Sequence, residues 1–172
     1  MDNMTVLLEN ETERDIGIDY ETIAVEVVSA TLDYVKCPYE CEVDILLTDN
    51  EGIHEVNKRM RDVDAPTDVL SFPTIAFQTE GDFSIVEDNV SAYFDAENGE
   101  LLLGDILISL DRVVEQAAQF NHSIKREYAF LIAHSMLHLS GYDHMDDQER
   151  VRMEKAQETI LQTIGYTREL ED

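Results

Sequence analysis

The sequence predicts an α+β, mixed α/β fold: a small, mainly four-stranded sheet packed with about five helices, one of them a buried central helix. Three observations carry the prediction. Strand-like and helix-like stretches alternate through the first half of the chain, helical stripes gather in the second half, and one of those late helices is apolar almost all round. The 172 residues, 44% of them apolar, suit one domain over 1–172 with a sizeable core, and no stretch rich in Pro, Gly or Ser suggests a linker.

Taken in order, Thr5 to Leu8 is a short β-prone run, and Tyr20 to Lys36 places Ile23, Val27, Ala30 and Tyr34 on one helical stripe. Cys41 to Leu47 alternates as a strand with Val43, Ile45 and Leu47 on one side. Thr48-Asp-Asn-Glu51 reads as a capping box, opening a helix that runs to about Arg61. Asp64-Ala-Pro66 turns the chain into a strand at Val69 to Phe72. Ile75 to Gly99 is polar and acidic and predicts a loop with a short β segment at Phe83 to Val86. Glu100 to Ile108 is the longest β-like run and belongs centrally in the sheet. Ser109 then caps a helix through Asn121 with Val113, Ala117 and Phe120 on one face, and Ser123 caps the next. That next helix, Ile124 to about Ser140, is the nearly all-apolar one. Asp146-Asp-Gln-Glu149 opens a last helix with Val151, Ala156, Ile160, Leu161 and Ile164 apolar and Gly165 as its stop.

The net charge is −26, from 38 acidic and 12 basic residues, and between Asp62 and Asp111 there is no Lys or Arg. Such a chain repels polyanions as a whole, so a nucleic-acid substrate has to be met by a local positive site or a partner protein. The basic residues cluster at Lys58, Arg59 and Arg61, at Lys125 and Arg126, and at Arg150, Arg152 and Lys155. The amino terminus lacks a basic region followed by an apolar stretch, and no segment approaches the ~20 apolar residues that span a bilayer, so a cytoplasmic protein is expected. Cys37 and Cys41 are then read as reduced structural thiols, without the tight Cys-x-x-Cys turn of zinc modules.

Three of the five histidines fall within eleven residues, in His134-Ser-Met-Leu-His138-Leu-Ser-Gly141-Tyr-Asp143-His144. His134 and His138 are one helical turn apart and project from one face, while Gly141 ends the helix and swings His144 round to complete a tripod. Imidazoles in an otherwise greasy helix need compensating partners, and one divalent metal serves both. An all-imidazole set suits zinc, and three protein ligands leave a fourth position open, as in catalytic rather than structural sites. The spacing is also that of metzincin proteases, but those carry a glutamate general base directly after the first histidine, where this chain has Ser135. Proteolysis is therefore disfavoured. Asp143 is placed to accept a ring N–H, and Asp68 and Asp105 are either similar supports or strand-end carboxylates.

The histidine segment resembles the signature of the YbeY family of zinc-dependent bacterial ribosomal RNA maturation endoribonucleases. The run Asn57-Lys-Arg-Met-Arg61-Asp-Val-Asp64-Ala-Pro66-Thr-Asp68-Val-Leu-Ser-Phe72-Pro resembles its second signature, Gly104-Asp105-Ile106 a shorter third piece, and the likeness extends from about Asp44 to Ile160. Two departures stand out: Ser135 replaces a glycine common in the family, and the acidic stretch from Ile75 to Gly99 is long. The resemblance implies one zinc ion on His134, His138 and His144, with Arg61 as the second positive contact to a phosphate. It implies cleavage of single-stranded ribosomal RNA in small-subunit 3′-end maturation and ribosome quality control, and the acidic balance of the chain adds the expectation that a basic ribosomal protein or a GTPase partner brings it to that substrate. The competing expectations are a helix-end ion pair of Arg61 with Asp62 or Asp64, and a non-catalytic assembly factor whose zinc is structural.

Overall fold

The computed structural model describes residues 4–166. In chain order it contains β1 (Met4–Asn10), α1 (Tyr20–Tyr34), β2 (Cys41–Thr48), α2 (Asn50–Arg61), β3 (Val69–Pro73), a 3-10 turn (Phe83–Asp88), the single-turn α3 (Val90–Tyr93), β4 (Leu101–Ser109), α4 (Leu110–Phe120), α5 (Ile124–Leu139) and α6 (Asp147–Thr163). The sheet runs β1-β2-β4-β3. Strands β1, β2 and β4 are parallel, and β3 lies antiparallel on the edge beside β4. Four mixed strands and five helices of more than one turn make the expected α+β architecture.

Alternation fixes which side chains face the core. Val43, Ile45 and Leu47 of β2 are all buried in the main core, in one cluster with residues of α1 and α5, whereas Leu46 turns to the other face, against Ile53, Leu70 and Leu107. In β4 the phase changes midway: Leu101 and Leu103 face the main core, and so do Ile106 and Ile108. The pairing with β2 slips between Glu42 and Val43, leaving Leu103 as the extra residue of a β-bulge. Gly104 makes the bulge possible. Its φ is +139°, and a Cβ there would lie 2.2 Å from the Phe72 carbonyl oxygen of β3.

Helix α5 occupies the centre, packed against α1, α4 and α6. Tyr128 shows why it stays there: the ring is fully buried, sits edge-on to Tyr20 at 5.8 Å, and donates its hydroxyl to the Tyr20 carbonyl at 2.9 Å. Ser123 caps its start and Ser109 caps α4, each accepting a backbone N–H three residues on. Asp146 and Glu149 form the expected capping box of α6.

Four local expectations are corrected. The cap of α2 is Asp49, whose carboxylate accepts from Gly52 N–H at 2.8 Å, so the capping box does not start at Thr48; the Thr48 hydroxyl instead donates to Glu11. Phe83 to Val86 is a 3-10 turn, not a strand, because Asp82 caps it at Ser84 N–H and its Phe83 and Val86 both turn inward to the core. Phe120 lies at the very end of α4 and is 54% exposed although Val113 and Ala117 are buried. Val151 is 56% exposed, because the inner stripe of α6 runs through Met153, Ala156, Gln157, Ile160 and Leu161.

Candidate metal centre

His134 and His138 come from the last two turns of α5, and the way that helix ends places the third histidine. Tyr142 N–H bonds back to the Leu137 carbonyl at 2.9 Å and Gly141 N–H to the His138 carbonyl at 3.1 Å, the paired bonds of a Schellman turn. Gly141 has φ +96°, and a Cβ there would lie 2.7 Å from Phe77. Both the backbone angle and the neighbour demand glycine at this position. The turn brings His144 over the helix end, so that one nitrogen from each of His134, His138 and His144 lies within 4.8 Å of the others. His134 and His138 are largely buried and His144 is exposed, leaving the cluster open on one side.

The hydrogen bonds decide which nitrogens are free. His138 Nδ1 lies 3.0 Å from the Tyr142 carbonyl oxygen, which can only accept, so Nδ1 carries the proton there. His134 Nδ1 lies 2.8 Å from Oε1 of the buried Gln157 on α6, which likewise accepts. Both Nε2 atoms are then bare lone pairs, and they face each other across 3.2 Å. Two lone pairs held that close in a desolvated site call for a cation between them. Burial, opposed by Gln157 and Asp68 and aided by His144, holds the His134 imidazole below its ordinary range. Burial and the neighbouring His134 push His138 down to about 4, although the Tyr142 carbonyl works against them. Neutral imidazoles are what a metal requires, so His134 and His138, with a nitrogen of His144 within 4.8 Å of theirs, fit a divalent ion.

The other residues singled out from sequence are distributed as follows. Arg61 is exposed at the end of α2, after which Asp62 takes a left-handed conformation with φ +58°. It forms no ion pair with Asp62 or Asp64; the Asp64 carboxylate instead meets His54 at 2.7 Å. Nor is it among the residues lining the cavity beside the histidines, which holds Phe130, His134, His144, Arg150, Met153 and Gln157. Asp68, just before β3, acts on His134 through space. Asp105 lies on the opposite face of the sheet with Asp44, whose carboxyl is pushed upward by burial and by Asp105. Asp143 accepts the His144 backbone N–H at 2.8 Å rather than a ring N–H. Ser135 is fully buried, with no hydrogen-bond partner for its hydroxyl among the described residues.

Two supports escaped the sequence: Gln157 and the Tyr142 carbonyl. A signal for Gln157 exists, since it is the one polar side chain on the buried stripe of α6. A backbone carbonyl has no such mark. The acidic 75–99 stretch also acquires a role, because Gly81 N–H bonds the Ser140 carbonyl at 2.8 Å and Glu80 pairs with Arg152 at 2.7 Å, bracing the turn that carries the third histidine.

A mixed-sheet α+β domain with an open three-histidine centre at the end of a buried helix is the class that fold and site define. The chain belongs to the endoribonuclease YbeY family, whose model matches residues 7–165. Relatives named endoribonuclease YbeY include those of Agathobacter rectalis, 53% identical over 96% of this chain and all of that protein. The Lachnoclostridium phytofermentans protein is 52% identical with the same coverage, and that of Clostridium perfringens strain SM101 is 43% identical over 84% of this chain and 86% of that one. A solution structure of a Thermotoga maritima protein shares the fold, with TM-score 0.54, 23% identity, and coverage of 94% of this chain and 91% of that one. Among the described residues no helix is long and apolar enough to cross a membrane.

Proposed function

We propose that this chain is a cytoplasmic, zinc-dependent endoribonuclease that cuts single-stranded ribosomal RNA, acting in 3′-end maturation of the small-subunit RNA and in ribosome quality control. The observation that carries the reading is the pair of proton-free Nε2 atoms 3.2 Å apart, with His144 beside them and one side open. Two nitrogens on a tetrahedral zinc at 2.0–2.1 Å stand about 3.3–3.4 Å apart, which supports zinc as the ion. Bound by the three histidines, zinc supplies Lewis acidity toward a phosphodiester and toward water.

The chain's own residues do the rest. Gln157 and the Tyr142 carbonyl hold the His134 and His138 rings in the tautomer that leaves Nε2 free. Arg61, without an ion-pair partner among the described residues, donates paired N–H groups to the phosphate oxygens as charge builds on them. The charge of −26 keeps affinity for naked RNA low, so a basic ribosomal protein or a GTPase delivers the substrate.

The test is metal analysis of protein purified without chelator, together with cleavage of a short single-stranded RNA. One zinc per chain and cleavage that disappears in a folded His138→Ala variant are expected. Cleavage that survives in that variant overturns the reading. A 2′-deoxy sugar at the cut site then separates the nucleophiles: retained cleavage excludes attack by the RNA's own 2′-hydroxyl.

A further inference from the structure

Cys37 and Cys41 lie in the turn between α1 and β2, far along the chain from the histidines, and the fold brings their sulfurs together. After α1 the chain turns through Lys36, which has φ +57°, and Cys37 N–H bonds back to the Leu32 carbonyl at 3.1 Å. Cys41 is the first residue of β2, and the Glu40 carbonyl before it accepts from Leu101 N–H at 2.7 Å. The Sγ atoms are 3.5 Å apart, and both approach the Tyr39 carbonyl oxygen, at 3.7 Å from Cys37 and 3.4 Å from Cys41. Tyr39 in turn is fixed from outside: its hydroxyl donates to Glu87 at 3.0 Å and its ring sits edge-on to Phe94 at 5.2 Å.

The turn is thus held with two thiols in contact, so the effective concentration of one sulfur at the other is high. Cys37 is half-buried and within reach of a small reagent, while Cys41 is 1% exposed. Among the described residues no third ligand joins them in a metal-holding group, which removes a thiolate metal site.

We propose that Cys37 and Cys41 are a dithiol site that closes to an intramolecular disulfide on meeting an oxidised low-molecular-weight thiol. The Cys37 thiolate attacks one sulfur of the small disulfide, breaking its S–S bond, forming a mixed disulfide and expelling one thiolate. Cys41 then gives its proton to a departing thiolate and attacks the Cys37 sulfur, expelling the second. The two protein thiols are oxidised by two electrons, and the small disulfide is reduced to two thiols. Hydrogen bonding from Cys41 holds the Cys37 thiol below its ordinary range against the effect of burial, which suits it to attack first. The same hydrogen bond, burial and nearby negative charge push Cys41 up, which suits it to stay protonated until the mixed disulfide forms. Covalent closure needs an S–S distance of about 2.05 Å, and rotation of the half-exposed Cys37 side chain supplies the approach.

The experiment treats the folded full chain with oxidised glutathione, blocks remaining thiols with iodoacetamide, and reads the intact mass and the proteolytic peptides. The expected product has lost two hydrogens, carries no alkyl group on either cysteine and yields a peptide linked between residues 37 and 41. Cys41→Ser is expected to stop at a glutathione adduct on Cys37. Alkylation of both cysteines after oxidation, a wild-type chain that stops at the Cys37 adduct, or linkage only between two chains overturns the proposal, whether or not the variant folds.

Discussion

The two long signature runs of this chain both sit at helix ends, and the ends differ in a way that suits the first to holding a metal and, under the proposed function, the second to meeting a substrate. α5 and α2 each finish with a left-handed residue, Gly141 at φ +96° and Asp62 at φ +58°. Each following turn is stapled by a side chain: His138 Nδ1 to the Tyr142 carbonyl at 3.0 Å, and Asn57 Nδ2 to the Ala65 carbonyl at 2.9 Å. Beyond that the likeness stops. The turn after α5 is wedged against Phe77 and tied to Ser140 by Gly81, whereas Arg61 to Asp64 are exposed. Ligands of a metal must be preorganised to a few tenths of an ångström, while an arginine reaching for a polyanion needs freedom to swing.

The hardest way to break this comparison is Gly141→Ala. The left-handed backbone costs about 1–2 kcal/mol for a residue with a Cβ and the clash with Phe77 about 1–3 more, so a loss of about 3 kcal/mol is expected in urea unfolding, with metal affinity falling alongside. A variant as stable as the parent would show that Phe77 moves aside and that the turn is not fixed by packing. Next comes Gln157→Leu, which leaves the His134 Nδ1 proton buried without an acceptor. The expected loss is about 10–100-fold in metal affinity, read by competition with a chelator, because the ring is no longer held in the ligating tautomer.

The boundary between what the sequence reveals and what it hides follows the range of the interactions. The histidine tripod is legible because its spacing is local: a helical turn, a glycine stop and three more residues fix it before any tertiary contact is known. The core face of β2 is legible for the same reason, through alternation of Val43, Ile45 and Leu47. Gln157 is not, because its partner is 23 residues away and only the docking of α6 on α5 brings them together. Asp143 illustrates the opposite error: next to a ligand in sequence, it spends its carboxylate on the His144 backbone. Phe83 to Val86 has strand-like composition, yet the Asp82 cap and two inward apolar side chains favour a 3-10 turn.

At the other helix end, Arg61→Ala separates chemistry from folding. An exposed side chain with no ion pair among the described residues is expected to change stability by less than about 0.5 kcal/mol. Cleavage of single-stranded RNA is expected to fall roughly 100-fold, the usual cost of removing a donor to developing negative charge. Arg61→Lys is expected to restore only part, since an ammonium cannot make two parallel hydrogen bonds. Unchanged cleavage by Arg61→Ala would remove it from the site and direct attention to Arg150, which does line the cavity beside His134 and His144.

The smallest effect carries the opposite sign. Asp62 occupies a left-handed position with its carboxylate at the negative end of the α2 dipole, so both its backbone and its charge are unfavourable there. Glycine relieves both at some cost in unfolded-state entropy, and Asp62→Gly is expected to stabilise the chain by about 0.5 kcal/mol. The two helix ends thus share a backbone geometry and both favour glycine over a larger residue, but by very different amounts. At Gly141 the side chain has no room, and at Asp62 it has nothing pressing on it. A destabilised Asp62→Gly variant would mean that this carboxylate serves the fold, and the α2 end would then be as tightly specified as the end that carries the histidines.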